Sequence, residues 1–278
     1  ESDRNMNIIV CVKQVPDTER IEIDSVTNTL KREGVPSILN PYDGYALEAA
    51  AKMKDENPST NIYVISMGPP QAEAVLRECL AMAADKAYLV TDKLFSGSDT
   101  YATSYILSKA IKQIELDEGI VFDAVFCGKQ AIDGETAQVG PELAEQMNYP
   151  QITSCLEVVE KNDELQVIQE QLDCRKRMGI SLPCVLTFTK PSKDPRFPTF
   201  KRKLEARKAN VRHISISDIE DMNMQKIGVK GSPTRVRRCY AISKSKKTQL
   251  VECSDLDEIV DRIYSIIELA SKGESNYD

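Results

Sequence analysis

An α/β fold with a doubly wound, mainly parallel sheet is what this chain predicts, and three observations predict it. Between residues 7 and 128, short apolar runs alternate with helical stretches, the pattern of right-handed βαβ units. NIYVISMG (61–68) is almost continuously apolar, as a parallel strand buried on both faces must be. Residues 122–146, FDAVFCGKQAIDGETAQVGPELAEQ, pass from an apolar strand through a glycine turn into a helix. Free N–H groups and the positive dipole end at such a helix start favour an anion. A nucleotide is therefore expected at the carboxyl edge of the sheet.

The elements follow in order. NIIVCVKQV (7–15) reads as the first strand and RIEIDSVTNTLKREG (20–34) as a hairpin. NPYDGYALEAAAKMKDEN (40–57) is a turn that becomes a helix, with Asp43 as N-cap. The strand 61–68 leads to PPQAEAVLRECLAMAADK (69–86), a helix opened by proline. AYLVTD (87–92) is a strand, SDTYATSYILSKAIKQIE (98–115) a helix, and FDAVFC (122–127) the strand before the glycine turn. After Pro150 the pattern changes. CLEVVEKNDELQVIQEQLD (155–173) predicts a small antiparallel hairpin turning at Asn162-Asp163, and PCVLTFTK (183–190) a further strand. Residues 191–212, with three prolines and many basic residues, read as a charged loop, and 213–253 as an extended connection. SDLDEIVDRIYSIIELASKG (254–273) is an amphipathic helix capped by Ser254. Its stripe runs through Leu256, Ile259, Val260, Ile263, Ile266, Ile267 and Ala270. The expected organisation is an α/β nucleotide-binding domain over 6–212 and a C-terminal extension with a docking helix over 213–278. Residues 1–5, ahead of Met6, read as a foreign remnant.

Composition narrows the function. A net charge of −7 argues against a general nucleic-acid binder. No apolar run approaches the ~18–20 residues that span a membrane, and no secretory segment is visible, so a cytoplasmic location is expected. The eight cysteines contain no C-x-x-C pair and there is one histidine, His213, which leaves no recognisable metal or cluster motif.

The chemistry concentrates at strand ends. Lys13 and Asp17 follow the first strand, and Asn40-Pro41-Tyr42-Asp43 and Ser66-Met67-Gly68-Pro69-Pro70 should lie along the same edge. Neither a G-x-G-x-x-G fingerprint nor a P-loop is present. The residues taken alone reach a nucleotide-binding α/β domain without an obvious catalytic acid, base or nucleophile.

Five segments carry a resemblance that goes further: V-K-Q-V-P-D (12–17), N-P-Y-D (40–43), S-M-G-P-P-Q-A (66–72), L-A-M-A-A-D-K-A (80–87) and G-K-Q-A-I-D-G-E-T-A-Q-V-G-P (128–141). Together, and in this order, they resemble the electron-transfer flavoprotein β subunit. That resemblance implies one α/β domain with a C-terminal helical arm, paired with an α subunit that carries its own FAD. Ordinary members hold AMP in the β subunit. Bifurcating members hold a second FAD there, accept hydride from NADH, and divide the electrons between two acceptors. One is ferredoxin or flavodoxin; the other, reached through the α-subunit FAD, is a flavoenzyme similar to acyl-CoA dehydrogenase.

Two segments resemble the bifurcating kind: D-G-E-T-A-Q-V-G-P (133–141), with Glu135 where that form carries Asp, and G-S-D-T-Y-A-T-S (97–104). By resemblance, the adenylate and pyrophosphate contacts fall on Cys11, Asn40, Tyr42, Asp43, Met67 and on Gly128, Lys129, Gln130, Ala131, Ile132, Asp133, Gly134, Glu135, Thr136, Ala137, Gln138 and Val139. Asp99, Thr100 and Thr103 would line the flavin and NADH pocket, or would simply cap a helix. The resemblance also places a partner-docking loop after strand 183–190, with Arg196, Phe197, Phe200 and Leu204 as contacts and Lys201, Arg202 and Lys203 steering an acidic partner. An AMP-holding electron carrier, and a nucleotide-sensing module without redox activity, remain as alternatives.

Overall fold

The structure, a computed structural model, describes residues 5–17, 36–161, 164–191, 193–235 and 255–271. The chain divides into two units, 1–239 and 240–278. In the first, strands β1 (Asn7–Cys11), β4 (Asn61–Met67), β5 (Lys86–Val90), β6 (Ala124–Gly128), β7 (Gln151–Lys161), β8 (Glu164–Glu170), β9 (Arg175–Ser181), β10 (Cys184–Phe188) and β11 (Val211–Ile214) form one sheet. Its order is β11-β5-β4-β1-β6-β10-β7-β8-β9. Pairs from β11 to β7 are parallel, and β7–β8 and β8–β9 are antiparallel. A separate two-stranded antiparallel ribbon joins β2 (Gln14–Pro16) to β3 (Ser37–Leu39).

Helices α1 (Pro41–Glu56) and α2 (Glu73–Met82) bury Leu47, Ala50, Val75 and Leu76 against one face of the sheet. On the other face, α3 (Thr100–Glu118) and α4 (Val139–Met147) bury Ile106, Ile111, Leu143 and Ala144. Both faces are therefore covered, which is why β4 and β10 are apolar almost throughout. The chain passes from β1 outward to β4, β5 and β11, whereas β6 and β10 lie on the opposite side of β1. This reversal opens a crevice at the carboxyl ends of β1 and β6.

Several expectations need correction. The strand expected over 7–15 breaks at Val12-Lys13, because Lys13 turns its backbone N–H onto the Asp43 carboxylate and β2 starts a new ribbon. Asp43 is not the N-cap of α1. Asn40 precedes that helix, and Asp43 lies in the first turn facing the sheet. The hairpin at 155–173 gains a third strand, β9, whose consecutive cations Arg175, Lys176 and Arg177 hide the period-two signal.

The charged loop of 191–212 ends in a helix, α5 (Phe200–Lys208). Arg202 of α5 donates to the Leu80 and Ala84 carbonyls at the end of α2, and Arg77 of α2 returns the bond to the Ala206 and Ala209 carbonyls of α5. Reciprocal capping of this kind satisfies orphan carbonyls at both helix ends. It also takes Arg202 out of any steering role.

The boundary expected after 212 cuts through β11, and the chain beyond it returns over α3 rather than running free. The Asn223 N–H bonds the Tyr105 hydroxyl, and a short helix, α6 (Gly228–Gly231), packs near the start of α3. The expected hairpin at 20–34 and the Ser254 cap lie outside the described residues. In the second unit, α7 (Leu256–Ser271) carries the expected apolar row, and Asp255 caps it by accepting from the Glu258 N–H at 2.9 Å.

Candidate functional site

A cavity of about 360 Å³ occupies the crevice. The ends of β1, β4 and β6 supply Cys11, Ile65, Met67 and Cys127 to its lining. The start of α3 supplies Ser98, Asp99, Thr100 and Thr103, and the chain from Gly128 to Gly140 supplies much of the rest. Two segments far apart in sequence, 97–104 and 128–140, thus line one cavity. Tyr42, Ile132 and Asp133 do not line it. Tyr42 packs edge-on against Tyr45, and Asp133 forms an ion pair with Lys13 at 2.8 Å beside the cavity.

The backbone between Gly128 and Gly140 is unusual. Glu135 and Ala137 both have φ of 53°, a left-handed conformation that costs a side-chain-bearing residue about a kcal/mol or more. A left-handed residue next to the right-handed Gln138 turns successive N–H groups toward one concavity, an arrangement that holds anions. Among the described residues, no acceptor is found for the backbone N–H groups of Thr136, Ala137, Gln138, Val139 or Gly140. Five N–H groups at the start of α4, all on the cavity lining, are thus left open to an anion.

Gly140 lets α4 come this close. A Cβ there would overlap the Thr187 methyl of β10. At Gly128 a Cβ would strike the Asp43 carboxylate, with the Asp43 nitrogen at 2.8 Å.

The N-P-Y-D segment holds this chain from behind. The Asn40 side chain donates to the Gln130 carbonyl at 2.9 Å and accepts from the Ile132 N–H at 3.2 Å. The Asp43 carboxylate accepts from the Lys13 N–H at 2.7 Å and from the Gly128 N–H at 3.1 Å. Burial raises the Asp43 pKa from 3.8 to about 7, against the pull of hydrogen bonds from Asn40, Lys13 and Gly128 and of the Lys13 charge. Cys11 and Cys127 sit opposite each other on β1 and β6. The hydrogen bond between them, then burial, pushes the Cys127 thiol well above its ordinary value, so it is a neutral floor rather than a nucleophile.

Asp99 does cap α3, accepting from the Ala102 N–H at 3.1 Å. Its second oxygen accepts from both the backbone N–H and the hydroxyl of Thr234 at 2.8 Å. Partial burial raises its carboxyl, but the bonds from Ala102, Thr234 and Ser232 together hold it below the ordinary range. Thr100 bridges to α4 by donating to Glu142 at 3.1 Å.

At the expected docking loop, Phe197 is 92% and Phe200 77% exposed, and Leu204 is also exposed. Arg196 is differently placed. Its guanidinium is engaged by Glu48 at 2.8 Å and Asp55 at 2.6 Å, both on α1.

Sequence reading missed Val12, Ile65, Ser98, Leu107 and Gly140 as lining residues, and had Lys13 only near the edge. The signal for Gly140 was present, since a glycine directly before a helical proline suggests a close approach. Ser98 and Leu107 gave none.

A family profile described as "Electron transfer flavoprotein domain" matches residues 27–219. The chain is 43% identical over 261 residues to the electron transfer flavoprotein subunit beta of Megasphaera elsdenii, spanning 93% of this chain and 96% of that protein. It is 41% identical over 263 residues to the caffeyl-CoA reductase-Etf complex subunit CarD of Acetobacterium woodii, spanning 94% and 97%. It is also 41% identical over 256 residues to protein FixA of Azotobacter vinelandii, spanning 91% and 90%.

Proposed function

The chain belongs to the electron transfer flavoprotein β-subunit family, and from that premise we propose that it is a β subunit of the bifurcating kind, with FAD in the cavity beside 128–140. The observation that carries this reading is the row of orphan N–H groups from Thr136 to Gly140, which suits a pyrophosphate. The start of α3 lies on the same cavity, so a ligand longer than an adenylate has Thr100 and Thr103 within its site. The bound flavin would supply the chemistry: accepting hydride from NADH and passing electrons on singly, to ferredoxin or flavodoxin and, through the α-subunit FAD, to a flavoenzyme similar to acyl-CoA dehydrogenase. This chain's residues bind and orient. The 136–140 amides hold negative charge, the apolar floor at Ile65, Met67 and Leu107 excludes water, and no side chain acts as acid or base. That one relative is named as part of a caffeyl-CoA reductase-Etf complex supports a CoA-ester reductase as partner.

Docking is read onto Phe197, Phe200 and Leu204, with Arg196 holding the loop to α1. The apolar row of α7 is read as a contact for the α subunit.

The test is the nucleotide content of the purified αβ heterodimer after acid release, together with NADH titration. Two FAD per heterodimer and bleaching by NADH support the proposal. One FAD with one AMP makes the chain an ordinary electron carrier, and no bound nucleotide refutes the site.

A further inference from the structure

Asn40 and Asp43 fall among the residues expected to touch the nucleotide, yet their polar atoms are already engaged within the protein. Asn40 uses both its donor and its acceptor on Gln130 and Ile132, and Asp43 uses one oxygen on Lys13 and the other on Gly128. Apart from the bond that Asn40 also gives Asp43, these bonds run to the backbone of the two chain segments that line the cavity. The Lys13 carbonyl in turn accepts from the Asn40 N–H at 3.0 Å, and the Lys13 ammonium reaches forward to Asp133. The end of β1 and the turn after β6 are thereby fixed to one short piece of α1.

We propose that Asn40 and Asp43 are positioning residues, which set the spacing of the Lys13 backbone and the 128–132 turn so that the 136–140 amides meet the ligand's phosphates. The assignment rests on the nucleotide reading of the cavity and deepens it. It is also specific to residue type. Position 40 requires one donor and one acceptor, so Asn40→Asp sets a carboxylate oxygen against the Gln130 carbonyl. Position 43 requires two acceptors, so Asp43→Asn sets an NH2 against a backbone N–H.

The ionised carboxylate accepts both N–H groups; the protonated one opposes an O–H to one of them. The titratable groups facing Asp43 are the Lys13 ammonium from β1, the Cys79 thiol from α2 and the Cys127 thiol from β6. Both thiol pKa values are raised, so Lys13 supplies the charge acting on Asp43. The raised Asp43 pKa places the change of state near neutrality.

The test uses the αβ heterodimer freed of its β-site nucleotide and titrated with ADP-ribose, whose pyrophosphate diester keeps its charge between about pH 6 and 8.5. Wild type should bind more weakly as pH falls through about 7. Asp43→Asn and Asn40→Asp should each raise Kd about ten-fold or more, and Asp43→Asn should lose the pH slope. Amide exchange of 128–132 should quicken in both ligand-free variants. The thermal midpoint of ligand-free Asp43→Asn should hold or rise near pH 8, because Asn buries no charge. Binding by both variants at wild-type strength and slope would overturn the assignment while leaving the nucleotide site intact. So would unchanged exchange at 128–132. A wild-type heterodimer that binds no ADP-ribose would overturn the nucleotide reading and the assignment with it.

Discussion

Replacing Arg196 with methionine tests whether the loop before α5 is held from within. Arg196 donates to Glu48 through Nε at 2.8 Å, through Nη2 at 3.2 Å and through its backbone N–H at 3.1 Å. Its remaining bonds, at 2.6 and 3.2 Å, go to Asp55. The two carboxylates differ in what they lose. The Glu48 side chain is 7% exposed and, among the described residues, keeps only the Arg196 backbone N–H, so a nearly buried charge is left poorly paired. Asp55 is 61% exposed and returns to water at little cost. Removing one partner of a fully buried pair costs about 3–5 kcal/mol, and an exposed pair is worth about 0.2–1. The Arg196 side chain is itself 32% exposed, which brings the expected loss to about 2–3 kcal/mol. For a chain of this size that is a fall in Tm of about 4–12 °C.

Thermal and urea unfolding of the heterodimer should be measured for Arg196→Met, Glu48→Gln and the double variant. Glu48→Gln removes the charge that Arg196→Met strands, so the double variant should be more stable than the sum of the singles by about 1 kcal/mol or more. The pH dependence adds a check. Hydrogen bonding to Arg196 holds the Asp55 carboxyl below its ordinary range, so its contribution is present above the unfolded pKa of about 3.9 and is lost as pH falls through the lower folded value. Arg196→Met should flatten that acid limb. A Tm within a degree of wild type, or strict additivity in the double variant, would refute the reasoning.

Other perturbations reach the cavity directly. Gly140→Ala should push α4 off β10 at about 1–3 kcal/mol and weaken nucleotide binding, and Thr187→Ser, which deletes the obstructing methyl but keeps the oxygen that accepts the Ser154 N–H, should restore both in a calorimetric titration. Cys11 lines the cavity, so bound nucleotide should slow its alkylation by iodoacetamide, as read by mass spectrometry, and leave exposed Cys174 unaffected. Asp43 gives a stability trend opposite to that of a salt-bridged carboxylate. Its folded pKa of about 7 lies above the unfolded 3.8, so the native state holds the extra proton between them and this group's contribution falls as pH rises across that window. The bound is about 4 kcal/mol, and ligand-free Asp43→Asn should lack the trend in urea titrations between pH 5 and about 8.

The alternation that predicted the parallel sheet is legible because burial on both faces forces long apolar runs, as in β4 and β10. What local sequence hides is the origin of a residue's partner. Asp43 has the type and position of an N-cap, and only the return of β6 beside α1 shows why it lies in the first turn, where Gly128 donates to it. Arg196 and Arg202 look like solvated cations because their acceptors lie more than a hundred residues earlier in the chain. β9 is concealed by its own charge, which suits an edge strand that should not pair with strangers. The glycine turn announces the site, but its working geometry does not. Glu135 and Ala137 adopt left-handed conformations that neither residue type advertises, and those two angles turn the amides toward the cavity.

The polar groups of the cavity lining divide by what they face. The Lys13 and Gly128 N–H groups, after β1 and at the end of β6, donate to the Asp43 carboxylate of α1, and at the N-terminus of α3 the Asp99 N–H donates to Ser232 while its carboxylate accepts from Thr234. The amides from Thr136 to Gly140 form an unbroken run left without acceptors among the described residues. Thr136 and Gln138 are exposed and only Gly140 of the five is buried, so water can meet most of this row, and an anion gathering the amides would take the place of that water. The left-handed conformations at Glu135 and Ala137 suit such an anion, because left- and right-handed residues in succession turn their amides to one side. Asp99 extends this arrangement outward. It lines the cavity and also holds Thr234, so residues 232–234 are tied to the same lining. A ligand held here would therefore bear first on the turn from 135 to 140, then on the start of α3 and, through Asp99, on Thr234.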